Sequence, residues 1–251
     1  MNHKHFKQIL LANNIVPKTI GETRAALKLV EQKEKFILED AAKALVYNKQ
    51  ILPIEGCYTL EQYIYEVQKI THRYYMLYIE ISQFEAYLRT YINHKMVKVY
   101  GEKWHTHSIM NDLDDFKKQD ISHLDKPSKA LNSISFGTLE LVFFNGSRYV
   151  NVFEHSIKKE KIHTKDNKPK YNNKKEIKSL FSIIRNARND ICHHRRIGES
   201  IRSNPKYKKH KMTLSDVHKS LHDLKTLLGY DDRFDVQGIE LRYKNLTEVF
   251  R

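Results

Sequence analysis

From Thr59 to Tyr100 the chain contains no glycine and no proline, and its apolar residues keep a single period throughout. Ile64, Val67, Tyr74, Leu77, Ile81, Phe84, Leu88, Ile92 and Met96 recur at steps of three, four or seven, which lines one face of an α-helix. Thr59, with Gln62 three residues on, carries a capping-box signal for the start. A helix of this length is unusual in a globular domain, so a break or kink is expected between His72 and Tyr78. Tyr63, Tyr65, Tyr74, Tyr75 and Tyr78 crowd its first half. Aromatics at helical spacing read first as core, and only second as platforms for stacked bases.

A long half-buried helix needs others to cover it. With only 8 Gly and 5 Pro in 251 residues, and no convincing strand alternation, the sequence favours an all-α bundle over a turn-rich β fold. Upstream, Gly21, Glu22 and Thr23 open a run from Arg24 to Glu31, and Phe36 to Tyr47 follows before Pro53 and Gly56 interrupt the pattern. Residues 1–56 are therefore expected to form an N-terminal helical region packed on the core, and residues 57–251 the main domain. Downstream, Gly101 ends the long helix. Ser135 to Phe144 reads as a short buried helix, its Gly137 explained by close backbone packing. Thr213 with Asp216 caps a helix through Val217, Leu221, Leu224 and Leu228 that stops at Gly229, and a last helical piece spans Val236 to Phe250.

The segment Glu176 to Ile197, EIKSLFSIIRNARNDICHHRRI, is a further core helix by its stripe Ile177, Leu180, Phe181, Ile184, Ala187 and Ile191. It also carries Arg185, Arg188, Asn189, His193, His194, Arg195 and Arg196, more cationic and titratable chemistry than core packing needs. On a helical wheel Arg185, Asn189 and His193 form one row, each about 40° from the next, so Asn189 is within reach of His193. Arg188 lies at the edge of the buried stripe, about 140° from His193 on a straight helix. Spacing alone also fits a basic helix whose outer face is merely solvated.

The order Arg188-Asn189-x-x-x-His193-His194 resembles the R-N-x-x-x-H motif of the HEPN ribonuclease superfamily, and its doubled histidine is similar to the Abi-like, abortive-infection branch. Ser135-Phe136-Gly137-Thr138-Leu139 followed by Glu140 and Leu141 is similar to the S-F-G-T-L element of Abi-like proteins, and stands in the same order relative to the motif. A looser likeness covers Ile79 to Trp104, with Glu80, Glu85, Leu88 and Arg89 leading into Tyr100-Gly101 and Trp104. The resemblance departs after His194, where the family continues x-R-L-W-N and this chain reads Arg195-Arg196-Ile197-Gly198. It implies a HEPN-like helical bundle with additional N-terminal helices. It also implies a cytoplasmic RNA endonuclease of antiphage defence, working without metal or other cofactor, in which the ribose 2′-OH attacks the adjacent phosphate.

In that reading His193 exchanges a proton with the attacking or leaving oxygen, Arg188 holds the phosphate, and Asn189 orients one or the other. Arg185 and His194 support them. In-line cleavage needs groups near both oxygens, whereas one chain supplies one Arg-Asn-His set, so a homodimer with facing motif helices is expected. The alternative is a non-cleaving RNA-binding protein that forms a ribonucleoprotein with a small noncoding RNA.

A formal charge of +14 calls for a polyanionic partner whichever reading holds. RNA contact is expected at Lys158, Lys159, Lys161, Lys165, Lys168, Lys170, Lys174 and Lys175 before the motif, at Arg195 and Arg196, and at Lys206, Lys208, Lys209 and Lys211 after it. No basic helix pairs with a clean apolar face of the interfacial type, and no run of residues is long and apolar enough to span a bilayer, so no membrane partner is expected. Cys57 and Cys192 form no C-x-x-C pair, as suits a reducing compartment. His105 and His107 near Asp112, Asp114 and Asp115 lack a spaced third ligand, so no zinc site is expected.

Overall fold

The structure is a computed structural model, and it describes residues 2–47, 53, 56–106, 124–144, 171, 174–199 and 212–230. Lys158, Lys159, Lys161, Lys165, Lys168, Lys170, Lys206, Lys208, Lys209 and Lys211 lie outside the described residues, as do His107, Asp112 to Asp115 and the stretch Val236 to Phe250.

Among the described residues the chain is all-α. Its helices are α1 (His3–Ala12), α2 (Ile20–Gln32), α3 (Lys35–Tyr47), α4 (Leu60–Tyr100), α5 (Pro127–Ser133), α6 (Phe136–Phe144), α7 (Lys174–Cys192) and α8 (Leu214–Leu228), with a 3₁₀ turn at Trp104–Thr106. No described residue belongs to a strand, and one isolated bridge joins Ile15 to Tyr58. None of these helices is long and apolar enough to cross a membrane.

The expected break in the long helix does not occur, because α4 continues through His72 to Tyr78 as part of 41 uninterrupted residues. Nothing there removes a backbone N–H, and the nearby Thr71 hydroxyl simply donates to the Val67 carbonyl at 2.8 Å. The start is the expected one: the Thr59 amide donates to Gln62 Oε1 at 2.9 Å, and the Gln62 amide to Thr59 Oγ1 at 3.2 Å.

Contacts divide the chain into two compact units. One comprises Met1–Tyr78 with Asn189–Lys211, the other Ile79–Arg188 with Met212–Arg251. In the first, α1 to α3 and the start of α4 bury Phe6, Leu10, Leu38, Ala41, Leu45, Leu60 and Val67 together. Tyr63 joins this core at 0% exposure, with its hydroxyl donating to the Leu38 carbonyl at 3.0 Å. Burial pushes that phenol above its ordinary range.

In the second unit the later turns of α4 bury Ile81, Phe84, Leu88, Ile92 and Met96, while α7 buries Ile177, Leu180, Phe181, Ile184 and Ala187. Phe181 anchors an aromatic cluster, its ring centroid 5.0 Å from Phe143, 5.1 Å from Phe144 and 6.3 Å from Phe84. Trp104 is buried and donates from Nε1 to Asn93 Oδ1 at 3.0 Å. The Thr213–Asp216 capping box and a left-handed Gly229 bound α8.

Candidate active site

At Ala187 the buried stripe has one step left to take, and it falls on Asp190 rather than Ile191. Asp190 is 0% exposed, whereas Ile191 is only half-buried. Its carboxylate accepts the Gly198 amide at 2.8 Å, and its backbone carbonyl accepts the Arg195 amide at 2.8 Å. The His194 amide donates to the Ile191 carbonyl at 3.1 Å, and His194 itself is left-handed with φ 52°. These two bonds are the paired closure of a Schellman motif, with histidine in the place glycine usually takes. Among non-glycine residues, histidine is one of the side chains that enters this region comparatively often.

The consequence is that the doubled histidine splits into two different positions. His193 is the last residue before the turn, its amide donating to the Asn189 carbonyl at 3.0 Å and its side chain exposed. Its imidazole has no partner among the described residues. His194 forms the turn, and its Nδ1 lies 2.9 Å from Glu34 Oε1. Asn189 meets His193 through the backbone. Among the described residues no side-chain hydrogen bond joins the pair.

Beyond the turn, Arg196 is tied down. Its Nε donates to Asp40 Oδ2 at 3.0 Å and its Nη2 to Asp40 Oδ1 at 2.9 Å and Glu39 Oε2 at 3.2 Å. Burial works against its charge, but Asp40 and Glu39 outweigh that and hold the guanidinium above its ordinary range. Contact with an RNA phosphate through Arg196 would compete with both carboxylates. Arg195 is exposed, and among the described residues its guanidinium has no partner. The Ile197 amide donates to the Tyr74 hydroxyl at 3.4 Å, and burial is the chief reason that phenol is raised.

Arg188 belongs to the second unit, where its Nε donates to Glu85 Oε2 at 3.0 Å. Glu85 is buried at 9% exposure and pairs through its other oxygen with Arg89, whose guanidinium also donates to the carbonyls of Leu131 and Ile134. Arg188 is thus held by Nε alone. Its two Nη groups have no partner among the described residues, and its side chain keeps 35% exposure. Glu85 and Arg89 were legible only as part of a loose likeness; their place beside Arg188 is new.

The S-F-G-T-L-E stretch meets α7 in the same unit. Ser135 is the N-cap of α6, its Oγ accepting the Thr138 amide at 3.1 Å and lying 3.0 Å from Thr138 Oγ1. Five residues past Ser135, Glu140 faces inward at 2% exposure, where Arg185 Nη1 donates to its Oε2 at 2.6 Å. Burial raises the Glu140 carboxyl above its ordinary range, and Arg185 and then Lys178 counter this without cancelling it. Gly137 does not mark a close approach: an added Cβ would lie 3.6 Å from Arg185 Cδ, an ordinary van der Waals separation.

Of the remaining site residues, Lys174 and Lys175 sit in the first turn of α7, half-buried and exposed respectively. His105 is buried, with Nε2 2.7 Å from the Leu124 carbonyl. Among the described residues no three His, Cys, Asp or Glu side chains gather as a metal ion would require. Asp190 escaped the sequence reading, although the i, i+3 step from Ala187 pointed to it. No protein-family model, no curated protein and no solved structure matches the chain.

Proposed function

We propose that the protein is a metal-independent endoribonuclease of the HEPN superfamily, of the Abi-like kind that acts in antiphage defence. The observation that carries this reading is the mounting of Arg188. A buried carboxylate takes its Nε and leaves both Nη groups without a partner among the described residues, so the fork that suits a phosphate is oriented yet available. Exposed His193 at the helix end supports the same reading, as does the Arg185–Glu140 pair, which joins the two stretches that resemble the family.

In this scheme the 2′-OH attacks the neighbouring phosphorus, the bond to the 5′ oxygen breaks, and a 2′,3′-cyclic phosphate and a 5′-hydroxyl result. His193 moves a proton at one of these oxygens, Arg188 stabilises the charge on the phosphate, and Asn189 aligns the reacting groups. DNA lacks the attacking hydroxyl and is not cut. A homodimer supplies the second set of groups, and the lysines flanking the motif in sequence hold the RNA backbone.

The test is cleavage of labelled RNA by purified wild type, His193→Ala and Arg188→Ala, with matched DNA as control. Cutting of RNA alone, lost in both variants while RNA affinity and circular dichroism persist, is the expected result. Wild type that binds a defined small RNA and never cuts any RNA, with or without phage infection, would replace the enzyme by a ribonucleoprotein scaffold.

A further inference from the structure

Three of the five tyrosines crowded on the first half of α4 are not core. Tyr63 is buried and Tyr74 half-buried against Phe36, with ring centroids 5.2 Å apart, but Tyr65, Tyr75 and Tyr78 are 59%, 61% and 40% exposed. Tyr65 has Lys69 Nζ over its ring at 5.9 Å. Tyr75 and Tyr78 have no ring or cation partner among the described residues. They line a cleft of about 390 Å³ within the first unit, together with Phe36, Cys192, His194 and Arg195. That volume lies in the range of small-molecule sites, roughly 300–1,000 Å³.

We infer that this cleft is a nucleobase subsite, which takes an unpaired base of single-stranded RNA against Tyr75 and Tyr78 and its phosphate against Arg195. The inference rests on the ribonuclease reading and names the form of RNA it requires. Tyr75 and Tyr78, three residues apart, present neighbouring rings on one helix face. Arg195 is the cation of the cleft and lacks a partner among the described residues, unlike Arg196 beside it. The net charge of +14 makes an anion the fitting occupant.

The chemistry also says what the subsite ignores. Stacking accepts any base, since each has a π-face. Two of the cleft's polar side chains are already engaged: the Thr71 hydroxyl donates to the Val67 carbonyl at 2.8 Å, and Glu34 Oε1 lies 2.9 Å from His194 Nδ1. Binding therefore shows little preference between bases but requires one to be unpaired, which excludes duplex RNA.

The experiment measures affinity of the full chain for short 2′-O-methylated single strands, which cannot be cut, and for the same strands with abasic positions. Tyr75→Ala and Tyr78→Ala each lower affinity for the intact strand about five- to hundred-fold, Tyr→Phe replacements restore it, and the abasic strand binds wild type and Ala variants alike. Unchanged affinity in both Ala variants overturns the subsite, and if their mass in solution falls instead, the face is an interface between copies. Wild type that cuts RNA while the Ala variants bind it normally removes this inference alone. Wild type that binds no RNA removes the ribonuclease reading with it.

Discussion

Arg188 and Arg196, eight residues apart in sequence, are held in opposite ways. Arg196 spends Nε and Nη2 on Asp40 and Glu39. Arg188 gives only Nε to Glu85 and keeps its fork. A guanidinium closed by two carboxylates stabilises a turn; one steadied from behind by a single carboxylate is prepared to meet an anion. Two arginines of one short stretch thus serve different ends. The difference lies in which acids the tertiary structure brings to each.

The largest expected effect tests that contrast directly. Arg188→Ala should lower RNA cleavage about 100- to 1,000-fold, and His193→Ala about 100- to 10,000-fold. Neither should cost much stability, since Glu85 keeps Arg89 as its partner when Arg188 is gone and His193 is exposed. Rates from gel assays beside thermal melts give the check, and a melt that drops as far as the rate would make Arg188 a structural arginine like Arg196.

A second arginine pair sharpens the rule from the other side. Arg185→Met leaves Glu140 buried without its closest cation and should destabilise by roughly 3–5 kcal/mol, while Arg185→Met with Glu140→Leu should recover most of that loss. The pH dependence follows from the same carboxyl. Because the fold raises the Glu140 pKa, its contribution is fully present below the ordinary value of 4.5 and is lost as pH rises through the raised value. Urea melts of Glu140→Gln should show a shallower decline over that window than wild type, and an identical slope would refute the assignment.

The all-α architecture was legible because helical period and caps are local. Thr59 with Gln62 and Thr213 with Asp216 bound their helices as spacing required. The break assigned to residues 72–78 was a statement about typical helix lengths, and no residue there enforced it. The opposite failure occurred at Asp190, where an acid read as a motif spacer turned out to be the fully buried organiser of the turn. Nor could sequence separate Arg195 from Arg196, since Asp40 lies 156 residues before the latter. Local pattern carries elements; partner choice is a tertiary fact.

Arg196→Ala is the complement to the first test. It removes a two-pronged, partly buried ion pair and should cost about 1–2 kcal/mol of stability while leaving cleavage nearly intact. A melt lowered by a few degrees with an unchanged rate is the expected pattern. Loss of cleavage at full stability would place Arg196 with Arg188.

The smallest effect concerns His194, and it decides whether the second histidine belongs to the chemistry or to the turn. Left-handed backbone costs a non-glycine residue about 1–2 kcal/mol, so His194→Gly relieves strain at φ 52°. Glycine also loses more backbone freedom on folding, roughly 0.5–1 kcal/mol, and the substitution removes the exposed contact with Glu34. These terms oppose one another, so the melting temperature should move by little in either direction. His194→Val is the control, because a β-branched residue is poorly suited to this backbone and should unravel the Asp190–Arg195 closure. If His194→Gly cuts RNA at the wild-type rate, the turn is what the doubled histidine supplies and His193 acts without its neighbour. If the glycine variant folds normally and its rate collapses, His194 belongs to the chemistry and not to the turn alone.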